Sequence, residues 1–147
     1  MAKLTMHEIL SEVGNASGRK AKIDILHKHS SPALKAVLGY AYDPTVEWAL
    51  PSGEPPYKPA NPIDVESVFH AEIRKFYLFT KGPSEAQKNL NPIRREQLFL
   101  EMLESIHPDD ARVLLAMKDR KLPYKGLTPK LVAEAFPNMT KHWEENV

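Results

Sequence analysis

The stretch Ser31-Pro32-Ala33-Leu34-Lys35-Ala36-Val37-Leu38-Gly39-Tyr40-Ala41-Tyr42 decides the class of fold. A proline at the first helical position gives up no hydrogen bond, because that amide has no partner inside a helix, and the serine before it can accept from the amides that follow. Leu34, Val37, Leu38 and Ala41 then recur at spacings of three, one and three, which makes one buried helical face. The same grammar repeats upstream. Thr5-Met6-His7-Glu8 reads as a capping box ahead of Met6, Ile9, Leu10 and Val13, and Gly14-Asn15 ends that helix. Ser17 reads as the next cap, for a helix from Gly18 to His29 that turns Ala21, Ile25 and Leu26 inward.

Downstream, Asp64 to about Lys81 reads as a central helix. Its wide stripe comprises Val65, Val68, Phe69, Ile73, Phe76, Tyr77 and Phe79, and Gly82-Pro83 stops it. Asn91-Pro92 opens a helix that buries Leu98, Met102, Leu103 and Ile106. His107-Pro108-Asp109-Asp110 opens another, with Val113, Leu114 and Met117 inside and both carboxylates in the first turn, where they favour the helix dipole. Thr128-Pro129 caps a short helix carrying Leu131, Val132, Ala135 and Phe136, and Pro137 closes it.

Six of the thirteen prolines fall within residues 43–62, a density no ordinary helix survives, although Thr45 to Leu50 has room for one short turn. Trp48, Leu50 and Tyr57 are placed to pin this segment to the core, so it reads as a long crossing loop, and loops of that length are often functional. There is no alternating strand pattern and no internal repeat. The expectation is an all-α fold: a single compact multi-helix domain of about seven short helices over residues 1–137, then a polar C-terminal tail over 138–147 that frays.

Composition narrows the chemistry. The 147 residues are 42% apolar and 27% charged, enough for one core. With no cysteine, disulfides, thiolate zinc sites and cysteine nucleophiles are excluded. No apolar run is long enough to span a bilayer and the start has no secretory character, so no membrane partner and a cytoplasmic chain are expected. The nucleophile elbow, phosphate loop, dinucleotide glycine motif and His-Glu-x-x-His are absent, so neither catalytic residues nor a cofactor are expected. His27-x-His29 and the pair His70 and Glu72 fail as metal ligands, because residues two apart on a helix do not share a face.

The charge pattern says more than the net charge of +1. From Arg112 to Lys130 six basic residues, Arg112, Lys118, Arg120, Lys121, Lys125 and Lys130, meet one acid, Asp119; from Glu85 to Asp110 acids exceed bases by three. A second basic cluster, Arg19-Lys20-x-Lys22, opens the second helix. Both clusters adjoin a helix start, where free amides and the positive dipole end make a ready anion site. Phosphates held this way position a duplex without reading its sequence.

Ile9-Leu10-x-Glu12-Val13, the run from Gly18 to Leu26, and the loop through Trp48 and Pro51 resemble the N-terminal helical domain of tailed-phage ATP-dependent DNA ligases. So do Arg120-x-Leu122, Gly126-x-Thr128 and Ala135-Phe136-Pro137. Order and approximate spacing agree over most of residues 5–137, and Gly82 to Asn91 departs from the pattern. The resemblance implies a domain that grips the duplex backbone near a nick, largely across the minor groove, in the cytoplasm of a phage-infected host. It carries the contact onto Ser17-Gly18-Arg19-Lys20 and Lys125-Gly126-Leu127-Thr128. The adenylated-lysine motif of that family is missing, since Lys118-Asp119-Arg120 lacks its glycine, and so are the catalytic domains; the chain is not expected to ligate alone.

The expected function is a non-catalytic, sequence-indifferent module for duplex DNA, intact or nicked, in phage replication or repair. Its expected contact residues are Ser17, Gly18, Arg19, Lys20, Lys22, Arg120, Lys121, Lys125, Gly126, Thr128 and Lys130. The alternative is a protein-interaction module for a replication, transcription or host protein. Near-neutral charge, the acidic stretch and the aromatic residues of the proline-rich loop speak for it.

Overall fold

The computed structural model describes residues 5–62 and 69–145. Among them are nine α-helices and one 3-10 helix: α1 (Met6–Asn15), α2 (Arg19–Lys28), α3 (Pro32–Tyr42), α4 (Phe69–Glu72), the 3-10 helix (Ile73–Phe79), α5 (Glu85–Asn89), α6 (Pro92–Ser105), α7 (Pro108–Lys118), α8 (Pro129–Ala135) and α9 (Pro137–Glu145). The fold is all-α; the nearest approach to a strand among these residues is one isolated antiparallel bridge between Trp48 and Thr80.

Most of the caps hold. Thr5 and Glu8 form the reciprocal box of α1, and Met6, Ile9, Leu10 and Val13 are all buried. Ser31 accepts from the Leu34 amide, and α3 buries Leu34, Val37, Leu38 and Ala41 together with Ala33. Asn91, His107 and Thr128 cap α6, α7 and α8 through their side chains.

The central element is α7, which packs against α1, α3 and α6. It buries Ala111, Val113, Leu114, Leu115 and Met117, and even Asp110 and Lys118 at its two ends. The helix expected at the centre is different from its sequence reading. Val65 and Val68 lie outside the described residues, and the chain beyond Phe69 makes one α turn and then tightens into a 3-10 helix. The reason is a period of three. Ile73, Phe76 and Phe79 stack on one line when each turn takes three residues. Phe76 and Phe79 are buried, while Tyr77 is turned outward, 41% exposed. Edge-on ring contacts join Phe76 to Phe69 and Tyr40, and Phe79 to Phe99.

Two further corrections concern the second helix and the C-terminus. Gly18, not Ser17, occupies the N-cap of α2 and supplies no side-chain acceptor. Pro137 closes α8 as expected, but it also opens a further helix, α9. Thr140 and Trp143 are buried there, so up to Glu145 the tail expected to fray is a helix packed on α8, and residues 146–147 lie outside the described residues. Met139, Thr140 and Trp143 follow helical spacing, which the polar composition of the segment conceals.

The proline-rich loop is held along its length. The Trp48 indole donates to the Tyr40 carbonyl at 3.1 Å, so this ring anchors inward. Residues 45–50 make no helical turn: the Asp43 carboxylate takes the Thr45 amide, and Ala49 and Lys81 amides exchange bonds across the bridge with Phe79 and Glu47 carbonyls. Three consecutive residues at the end of α7 fasten the rest. Lys118 donates to the Pro51 and Gly53 carbonyls at 2.8 Å each, Asp119 accepts the Gly53 amide, and Arg120 donates to the Asp43 and Val46 carbonyls. Gly53 sits at φ +91, a left-handed conformation that suits glycine.

Candidate nucleic-acid interface

The two basic segments, about a hundred residues apart in sequence, are neighbours in space. The link is Lys22. Only 9% exposed, its ammonium donates to the Val13 carbonyl at 2.8 Å, Ala16 at 3.0 Å and Lys125 at 3.1 Å. The first two lie at the C-terminal end of α1, where the Val13 carbonyl otherwise accepts only the Ala16 amide at 3.3 Å, so Lys22 adds a charged donor at that helix end. The third belongs to the turn before α8. Gly126 at φ +75 lets this turn lie against the lysine, since a Cβ there would come within 2.6 Å of Lys22 Cε.

The turn is braced from α1 as well. The Asp110 carboxylate accepts the His7 amide at 3.0 Å, and His7 Nδ1 shares a 3.0 Å bond with the Tyr124 hydroxyl. Tyr124 precedes Lys125, and burial pushes its pKa up to about 12, so it stays protonated. A second contact closes the surface. The Arg19 guanidinium pairs with Glu134 of α8, and Lys130, one turn before Glu134, adds its field. The bond to Arg19 is the main cause holding the Glu134 pKa below the ordinary range.

The eleven expected contact residues therefore divide. Ser17, Gly18, Lys20, Lys121, Lys125, Gly126, Thr128 and Lys130 are exposed. Arg19 is exposed but shares its charge with Glu134. Lys22 and Arg120 are corrections, because both ionic heads are spent on backbone carbonyls: Lys22 at the end of α1, Arg120 on the loop after α3. The Thr128 hydroxyl is also occupied, accepting the Leu131 amide. Sequence reasoning did not find Glu134, the acid inside the basic surface, and no local signal marks it.

The carboxylates at the start of α7 do not form an acid–base pair: Asp109 is exposed and Asp110 is buried. Burial raises the Asp110 pKa above 3.8, against the opposing pull of the His7 amide and of His107, His70 and His7. A carboxyl that binds its proton more tightly in the folded chain contributes stability that is full below the ordinary aspartate range. That contribution is lost as pH rises through the raised value. Asp110→Asn keeps the acceptor for the His7 amide and removes the titration. We expect the parent to lose stability relative to this variant as pH climbs from about 4, read by urea unfolding at a series of pH values. Parallel profiles would contradict the shift.

Among the described residues no three His, Asp or Glu side chains are placed to hold a metal ion, and no helix is long and apolar enough to cross a membrane.

The fold is thus all-α, and it brings the start of α2 against the turn into α8 and against α8 itself. The chain belongs to a family of unknown function, DUF6433, whose model matches residues 9–124. That span runs from within α1 through α7 to Tyr124, and ends one residue before Lys125. No curated protein and no solved structure matches the chain.

Proposed function

We propose that this chain is a non-catalytic, sequence-indifferent duplex-DNA-binding module that holds the phosphate backbone on the face shared by the start of α2 and the turn into α8. The observation that carries the reading is the meeting of the two basic segments through Lys22, Lys125, Arg19 and Lys130. The first amides of α2 have no side-chain cap, and Arg19 and Lys20 flank them, which suits an anion. The resemblance to phage ligase N-terminal domains supports the same face and adds a role in strand joining during phage replication or repair.

The test is anisotropy with labelled intact duplex, nicked duplex and single strand, at about 50 and about 200 mM salt. Affinity for duplex should fall steeply over that range. Lys125→Glu combined with Lys130→Glu should weaken binding by about tenfold or more with an unchanged helical circular dichroism signal. Glu134→Gln should strengthen it, because a competing carboxylate leaves Arg19 and Lys130. Equal binding by all three proteins would remove this face from the site, and no binding at low salt would remove DNA. Preference for the nicked duplex would tie the module to strand joining.

A further inference from the structure

A cavity of about 380 Å³ lies between the proline-rich loop and α6, within the roughly 300–1,000 Å³ range of ligand sites. Phe99 and Leu100 of α6 form one side, and Leu50, Pro55 and Pro56 of the loop form the other. Its shape is fixed without an occupant, because Lys118 and Asp119 clamp the loop at residues 51–53. A segment entering it meets a preorganised site and avoids the cost of ordering the loop.

The charges lining the cavity say what fits. Among the described residues that line it Lys118 is the one cation, and its ammonium is used up on Pro51, Gly53 and Asp119. Glu54 on the loop and Glu96 on α6 are the acids; both are exposed, and neither has a hydrogen bond or ion pair among the described residues. Two uncompensated carboxylates on opposite walls of an apolar slot repel phosphate and attract a cation beside an apolar group. This separates the cavity from the basic face in kind of partner.

We propose that this cavity docks a short segment of a partner protein, seating one large apolar side chain between α6 and the loop with an adjacent lysine or arginine paired to Glu54 and Glu96. The inference stands apart from the DNA reading and survives its failure.

The experiment selects a displayed library of random heptapeptides on the immobilised full chain, then measures the best synthetic peptide against the parent and the Glu54→Gln/Glu96→Gln variant. Both glutamates are exposed, so the variant should keep the parent's circular dichroism signal. Selected sequences should place Lys or Arg next to Leu, Phe or Trp. Their peptide should shift the amide resonances of Leu50, Ser52, Gly53, Glu54 and residues 96–100, bind the variant about tenfold more weakly, and lose most of its salt dependence there. No enrichment, enrichment of acidic or uncharged sequences, shifts elsewhere, or equal affinity for parent and variant would each overturn the proposal.

Discussion

Lys22→Ala should destabilise the fold by roughly 3–5 kcal/mol, a large share of the total for a domain of this size. Hydrogen bonds from a charged donor contribute about 1.5–3 kcal/mol each, and Lys22 makes three within 3.1 Å. The sum stays below three full contributions because some of the freed carbonyls regain water. Lys22→Met isolates the ammonium: it keeps the aliphatic stem that lies against Gly126 and should recover part of the loss. Urea unfolding measures both. The two roles of this lysine give opposite patterns. A phosphate ligand would leave stability untouched and weaken DNA binding when changed to methionine, whereas a carbonyl staple lowers the unfolding midpoint first. A midpoint within experimental error of the parent would refute the staple.

Trp143→Ala should cost about 3–5 kcal/mol, the range for truncating a buried tryptophan. The ring is 6% exposed and belongs to the same core as Phe136 and Leu131. Removing it should loosen α9 from α8 and lower the thermal midpoint by several degrees, followed by circular dichroism. A tail that only frays would show no change, so the measurement separates the packed helix from the reading its polar composition invites.

Most of the helices were legible because their signals are local. A cap and a spacing of three and four are written within ten residues, and α1 and α3 follow them residue by residue. The failures have a common physical form. In the 3-10 helix a strict spacing of three at Ile73, Phe76 and Phe79 also fits an α-helical stripe, and only tertiary packing chose between them. At α9, proline after Phe136 serves equally as a stop and as a first helical residue.

The candidate site was legible in part. That basic residues gather at two helix starts is a fact of sequence; that the two starts touch is a fact of the fold. Which cations face solvent was not readable, because a guanidinium or ammonium satisfies a carbonyl as readily as a phosphate. Lys22, Lys118 and Arg120 all took carbonyls, and so did Arg95, which donates to Leu78 and Gln87. Each of these partners lies at least six residues away, beyond the reach of a helical turn.

The fastening of the proline-rich loop has a consequence for how the protein can change. Lys118, Asp119 and Arg120 grip the carbonyls of Asp43, Val46, Pro51 and Gly53 and the amide of Gly53, and none of these five groups depends on which side chain its residue bears. The grip is blind to the identity of the residues it holds, apart from the backbone conformation at Gly53. Exposed loop positions such as Ser52 and Glu54 are free to drift while the frame beneath them stays put. The loop thus presents replaceable side chains on a permanent mount, and a change among them asks nothing of the core.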